Sequence, residues 1–321
     1  MQTITILIPA YNEALNLSRM VAELDRMASS TYTVDGTKMD MTRYGWEYLF
    51  VNDGSRDNTL EVLRTLRAAN PRVNVLNLTR NYGKETAMLA GMDFSTGDAM
   101  VIMDADLQHP VDSIPEMVYW WQKGFDDVYG RRLSRGRESW LRRRLSLTYY
   151  ALLQHTTRIE ILQNVGDFRL LSRRAVRAIT SLRETQRYTK GLYCWIGYPK
   201  KEITFEQGAR QAGTSSFRLS SLLNLAIAGI TCFTTAPLRL SAVLGFAVSA
   251  LSLLYLVFIL VKTVFWGEPV AGFPTLMSVI LFIGGVQLIV LGIIGEYIAR
   301  IFNETKNRPA YLPESYNETP L

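Results

Sequence analysis

The chain reads as an α/β protein: a mostly parallel, helix-covered sheet with two membrane helices after it. Three observations predict this. Short β-type apolar runs alternate with helical patterns through the first two thirds of the sequence. Three successive strand-like runs end in loops carrying acidic or polar groups, and in such sheets those ends converge on one edge. Residues 240–261 and 269–295 then carry no charge at all, and a helix needs roughly 20 apolar residues to cross a bilayer. The 321 residues are 48% hydrophobic. That average is ordinary, so it is the uneven placement that carries the information.

Residues 3–8 form the first β-type run, closed by Pro9. Asn12 and Glu13 open a helical pattern with Leu17, Met20, Val21, Leu24 and Met27 on one face. Residues 29–45 are polar and contain glycine, which predicts a loop. A second strand over 46–51 ends at Asn52-Asp53-Gly54-Ser55, and a helix follows over 58–69. A third strand covers 73–78, a loop 79–83 and a helix 84–94. The fourth strand, 99–103, runs into Asp104-Ala105-Asp106-Leu107-Gln108-His109-Pro110. Beyond it the pattern predicts helices over 115–121, 139–154 and 173–182, extended segments over 127–130 and 167–171, and a last strand over 198–206. Residues 219–233 repeat apolar side chains at helical spacing. Just before a membrane span this fits a helix lying in the interface or an ordinary amphipathic surface helix. The polar, proline-containing tail after Asn303 is expected to be loosely ordered.

Basic residues orient the spans. Arg218 and Arg239 precede the first, and Arg300, Lys306 and Arg308 follow the second, whereas the connection carries only Lys262 and Glu268. The positive-inside rule then sets both ends in the cytoplasm and the 262–272 loop outside. The predicted organisation is a cytoplasmic domain over 1–214, an amphipathic juxtamembrane segment over 215–236, two transmembrane helices over 237–301 and a cytoplasmic tail over 302–321. No signal peptide is expected, since the first residues enter a strand without a basic leader. Cys194 and Cys232 fall on the cytoplasmic side, where no structural disulfide is expected.

The available chemistry is carboxylates at strand ends and many arginines. The glycine-rich nucleotide loops, the zinc-protease helix and the serine-hydrolase elbow are absent. With only His109 and His155, a histidine-rich metal centre is excluded. Asp104 and Asp106 offer hard oxygens suited to Mg²⁺ or Mn²⁺, which commonly bridges carboxylates to substrate phosphates; a plain polar turn is the alternative. The formal charge of +6 owes much to Arg131, Arg132, Arg135, Arg137 and Arg142 to Arg144. Arginine forks suit phosphate, whether of a substrate or of lipid headgroups; a solvated basic helix face is the alternative. The two spans argue against nucleic acid as a partner.

In their order these motifs resemble the family-two glycosyltransferases of GT-A fold. The residues that carry the resemblance are Pro9-Ala10-Tyr11-Asn12-Glu13, Asn52-Asp53-Gly54-Ser55, Arg80-Asn81-Tyr82-Gly83-Lys84 and the Asp104–Pro110 stretch. It continues through Gly166-Asp167-Phe168-Arg169, Gly213-Thr214-Ser215, Thr234-Thr235-Ala236-Pro237-Leu238-Arg239 and Gly295-Glu296-Tyr297-Ile298-Ala299-Arg300. The chain is most similar in pattern to the polyprenyl-phosphate branch, which includes bactoprenol glucosyltransferases and the aminoarabinose transferase of lipid A modification. Two residues depart from the pattern: Asn52 stands where most relatives have Asp, and Ser216 where the family often has Lys.

The resemblance implies inverting transfer of a hexose from a UDP-sugar to undecaprenyl phosphate at the cytoplasmic membrane face. Glucose is favoured by the segment Arg80 to Ala90; other sugars on a polyprenyl phosphate are the alternative, and a non-catalytic membrane scaffold the alternative of another class. A processive polysaccharide synthase would need more spans and a Gln-x-x-Arg-Trp motif. By resemblance Pro9, Tyr11, Glu13, Asp53, Arg80, Lys84 and Asp104 hold the nucleotide-sugar, although strand-end packing accounts equally well for Pro9 and Tyr11. Asp106, with Asp104, would hold Mg²⁺ or Mn²⁺, Gln108 would contact sugar or acceptor, and His109 would be structural. Arg131, Arg137, Arg210 and Ser215 are the candidates for the acceptor phosphate. Asp167 stands where the family has its proposed base. An acceptor phosphate with a second pKa near ~6 is already largely dianionic at neutral pH, so Asp167 is expected to orient substrate at least as much as to remove a proton. The resemblance also implies a homo-oligomer, a tetramer.

Overall fold

The computed structural model describes residues 1–133, 165–185, 187–206, 236–266 and 272–321. The expected helix over 139–154 and the amphipathic segment over 219–233 lie outside the described residues, as do Arg137, Arg210 and Ser215.

Strand β1 (Thr3–Ala10) leads into helix α1 (Ala14–Ala28). The five apolar residues picked out at helical spacing are all buried there, which is what fixes this face of the helix on the sheet. The expected loop over 29–45 is instead a hairpin, β2 (Thr31–Val34) with β3 (Thr37–Asp40), followed by a single 3-10 turn. Its strands are short and mostly polar, with Asp35 and Gly36 at positive φ in the turn, so apolar periodicity gave no sign of it. Strand β4 (Gly45–Asn52), helix α2 (Thr59–Ala69), strand β5 (Val73–Leu78), helix α3 (Lys84–Phe94) and strand β6 (Ala99–Ile102) continue the alternation. Helix α4 (Ile114–Gln122), strands β7 (Asp127–Arg132) and β8 (Val165–Ser172), helices α5 (Arg173–Ser181) and α6 (Thr189–Trp195), and strand β9 (Lys200–Phe205) complete this part of the chain.

Nine of the described strands, including β10 (Pro313–Tyr316) and β11 (Thr319–Pro320) from the tail, build one sheet in the order β11-β10-β5-β4-β1-β6-β8-β7-β9. Strands β5, β4, β1 and β6 are mutually parallel, and β8 runs antiparallel between β6 and β7. Alternate residues face opposite sides. Ile4, Ile6, Ile8, Tyr48 and Phe50 pack with α1 and α4, while Leu7, Leu49, Val51 and Met100 pack with α3 and α5. Helix α3 lies close because Gly91 has no side chain: a Cβ there would meet Leu7 Cδ1 at 2.0 Å.

The tail overturns the expectation of loose order. Strand β10 (Pro313–Tyr316) pairs antiparallel with β5, and β11 (Thr319–Pro320) turns back on it. Residues Pro309–Leu321 therefore belong to the same compact unit as Met1–Leu222. Asn317 explains much of the docking. Its backbone N–H donates to Val75 O (2.8 Å), its side-chain Oδ1 accepts from Val75 N–H (2.9 Å), and its Nδ2 donates to Asn74 Oδ1 (2.8 Å). Such pairing covers an edge that would otherwise be open.

The second unit, Leu223–Arg308, holds helices α7 (Ala236–Trp266) and α8 (Phe273–Thr305). Both are long and apolar enough to cross a membrane. Their large side chains, among them Phe246, Leu254, Phe282 and Leu288, are exposed rather than packed in a core. A buried soluble helix pair would show the reverse.

Candidate active site

The carboxyl ends of β1, β4 and β6 and the start of α3 enclose a cavity of about 290 Å³. Its lining includes Pro9, Tyr11, Glu13, Asp53, Lys84, Asp104 and Asp106, all given a role from sequence, and Asn81, Gly83, Ala87 and Ala105, which were given none. The alanines carry no chemistry that a sequence reading would select; they leave room for a ligand near the strand ends.

Each wall is built by local hydrogen bonding. The Asp53 carboxylate, itself buried, accepts from Tyr82 N–H (2.7 Å) and Gly83 N–H (2.9 Å), fixing the loop after β5. Burial pushes its carboxyl up, against these two bonds and the charge of Arg80. The Arg80 guanidinium lies over the Tyr82 ring, 4.3 Å from its centre. Gly54 must be glycine: its φ is +61, and a Cβ would sit 2.4 Å from the backbone of Arg80 and Asn81.

At the end of β6 the chain makes a tight turn with Leu107 at φ +61, a strained value for a branched side chain. Asp106 Oδ1 accepts from Gln108 N–H (3.1 Å), and His109 Nδ1 accepts from Asp104 N–H (3.0 Å). The His109 ring is buried, stacks on Phe168 at 4.7 Å, and is held neutral because burial lowers its pKa. It braces the turn, as expected of a structural residue.

The antiparallel direction of β8 brings the remaining motif in. Ile102 pairs with Arg169, and the same register continued two residues sets Asp104 beside Asp167. Lys84, at the first turn of α3, reaches both carboxylates: Nζ is 2.5 Å from Asp104 Oδ1 and 2.7 Å from Asp167 Oδ2. Burial would raise the Asp167 carboxyl, but the charges of Lys84 and Lys190 overcome it and hold it down at about 2. Lys84 is raised in turn by the two carboxylates and stays charged, although its side chain opens onto the cavity. Asp167 Oδ1 is buried and has no hydrogen-bond partner among the described residues. Arg169 stiffens this strand from below, donating to both Asp127 oxygens (3.2 and 3.0 Å) and stacking on Tyr193 at 3.6 Å.

The arginines divide. Arg131 donates to Glu202 on β9 (3.2 Å) and is not part of the cavity lining. Its neighbour Arg132 is not in that lining either; its guanidinium lies 3.8 Å from where a Cβ of Gly166 would stand, and its Nε is buried with no hydrogen-bond partner among the described residues.

Asp104 and Asp106 supply hard oxygens at one edge of the cavity and so fit a divalent cation. Among the described residues no three metal-ligating side chains cluster, so an ion here would complete its shell with substrate phosphate and water. Carboxylates, an ammonium paired with two of them and a cavity at the ends of a parallel sheet fit a catalytic unit of GT-A type. The chain belongs to glycosyl transferase family 2, which matches residues 5–180; the GtrB C-terminal hairpin family matches residues 236–301. It is 41% identical to the putative glycosyltransferase CsbB of Bacillus subtilis (strain 168), over 98% of this chain and 92% of the relative. It is 42% identical to the bactoprenol glucosyl transferase of Shigella phage SfX, over 86% of this chain and 90% of the relative. Among solved structures it is similar to glucosyl-3-phosphoglycerate synthase from Mycobacterium tuberculosis in complex with Mn²⁺, UDP and glucosyl-3-phosphoglycerate. That likeness has a TM-score of 0.44 at 18% identity, over 72% of this chain and 78% of the other.

Proposed function

We propose that this enzyme transfers glucose from UDP-glucose to undecaprenyl phosphate at the cytoplasmic face of the plasma membrane, with inversion at the anomeric carbon. One observation carries the site assignment: Lys84 joins Asp104 and Asp167 at the mouth of a cavity lined by three strand ends. Support for the substrates comes from the bactoprenol glucosyl transferases, 41–42% identical over most of the chain. The two exposed apolar helices fit an enzyme whose acceptor resides in a membrane.

In this reading Asp53, Glu13 and Tyr11 bind the nucleotide and Asp104 the ribose or diphosphate side. A divalent ion held by Asp106 and Asp104 would neutralise charge on the departing diphosphate. Lys84 adds a second fixed positive charge at the same edge. The acceptor phosphate oxygen attacks the anomeric carbon as the bond from that carbon to the UDP oxygen breaks. Arg132, beside Gly166, would orient that phosphate with its fork of donors, along with arginines of the run that follows. Asp167 stays ionised and aligns a sugar hydroxyl, which donates to its free oxygen.

The test uses purified protein, undecaprenyl phosphate, Mg²⁺ or Mn²⁺ and a panel of UDP-sugars, with the lipid-linked sugar as readout. Product from UDP-glucose is expected, with a loss of at least about 10²-fold in Asp106→Ala. Product from a different donor alone would replace glucose. Full activity in Asp106→Ala would remove that residue from the site.

A further inference from the structure

The tail strand does more than cover an edge. Glu314 on β10 accepts from Asn77 Nδ2 at 2.6 Å, and Asn77 Oδ1 accepts from Asn52 Nδ2 at 2.7 Å. Asn52 Oδ1 in turn accepts from Ser55 N–H at 3.3 Å, and Ser55 Oγ accepts from Asn12 N–H at 3.0 Å. The relay thus runs from the exposed tail, through two buried asparagines, to the turns after β4 and β1. Those turns carry Asp53, Tyr11 and Glu13, which line the cavity. We propose that Glu314 is a positioning residue for the nucleotide end of the site, acting through Asn77 and Asn52. This rests on reading that cavity as the nucleotide-sugar site.

Donor direction makes the relay specific. Asn52 turns its amide N–H toward Asn77 and its carbonyl toward Ser55, so Asn77 is left to point its own N–H at a carboxylate. An Asp at position 52 has no N–H to give. Asn77 would then have to turn over, and its carbonyl would face the Glu314 carboxylate, acceptor against acceptor. Asn52 and Glu314 are therefore a matched pair. The partner that matches an amide at position 52 lies beyond the two apolar helices.

The experiment compares the full-length protein with Glu314→Ala, Glu314→Gln, Asn52→Asp and the double variant that combines Asn52→Asp with Glu314→Gln. UDP affinity by calorimetry, donor KM and kcat, and amide exchange over residues 52–56 are read for each. Gln at 314 still offers an oxygen, so Glu314→Gln is expected within about twofold of the parent in donor KM. Glu314→Ala and Asn52→Asp should each raise UDP Kd and donor KM by about three- to tenfold, leave kcat nearly unchanged and speed exchange over 52–56. In the double variant the relay runs in reverse. The introduced glutamine amide donates to Asn77, Asn77 donates to the introduced carboxylate, and affinity and exchange should return toward the parent. Unchanged affinity and exchange in Glu314→Ala, or a double variant as weak as Asn52→Asp, would overturn the proposal. A parent protein that binds no UDP would sink the nucleotide reading instead; exchange over 52–56 would then decide the positioning role alone.

Discussion

Lys84 holds two carboxylates that belong to different strands, and this constrains what Asp167 can do. A carboxyl depressed to about 2 is a weak base. Its pairing with Lys84 is fully present above the ordinary value of 3.8 and is lost only as pH falls through about 2, so Asp167 is ionised throughout the working range. If it orients substrate, Asp167→Asn should lower kcat by about 10- to 100-fold to the same extent from about pH 5 to 9. A loss confined to pH below the acceptor phosphate's second pKa, near ~6, with recovery above it, would assign the base role instead. At this scale much was legible beforehand. Seven of the expected residues line one cavity because strand-end carboxylates in a parallel sheet converge wherever the helices lead. The alanines of the same lining were not, because only the folded strand ends show what stands beside the carboxylates.

Elements differ in how much of themselves they write into the sequence. Helix α1 is read directly from its spacing because burial of one face is its main source of stability. The β2–β3 hairpin and β10 are four-residue strands of mixed polarity, stabilised by partners far off in sequence or by turn geometry, so no local pattern marks them. The direction of β8 is likewise set by its neighbours, and it alone brings Asp167 to Asp104. The turn after β4 offers a clean test of close approach. Gly54→Ala meets both a left-handed backbone and a Cβ 2.4 Å from Arg80 and Asn81, and should cost about 3 kcal/mol in urea unfolding along with weaker UDP binding. Gly36 also has positive φ, at +71, but nothing lies within 4 Å of its Cβ position. Gly36→Ala should therefore cost only the backbone strain, about 1–2 kcal/mol, with UDP binding intact. Equal losses in the two variants would show that strain, not contact, is what Gly54 relieves.

On the scale of the whole molecule the chain leaves its catalytic unit after Leu222, forms two apolar helices, and returns at Pro309 to finish the sheet. The catalytic unit is therefore discontinuous in sequence, and a chain ended before the helices loses more than the helices. It uncovers the β5 edge, removes the Tyr311 hydroxyl from Asp93 (2.7 Å) and leaves Asn77 without Glu314. An exposed strand edge is a template for aggregation. A chain stopped at Leu222 should accordingly aggregate and bind UDP weakly. Joining Leu222 to Pro309 through about 20 Gly/Ser residues, whose mean span is roughly 25 Å, should restore a monodisperse protein that binds UDP. Because that version lacks the helices, its transfer to a membrane-borne acceptor should be slow while its nucleotide affinity matches the full chain. Light scattering and calorimetry on the two versions separate the possibilities. If the chain ended at Leu222 is as soluble and binds as tightly as the joined one, the tail is dispensable to the catalytic unit and the sheet is complete without it. If both bind equally poorly, the helices themselves support the fold of the catalytic unit.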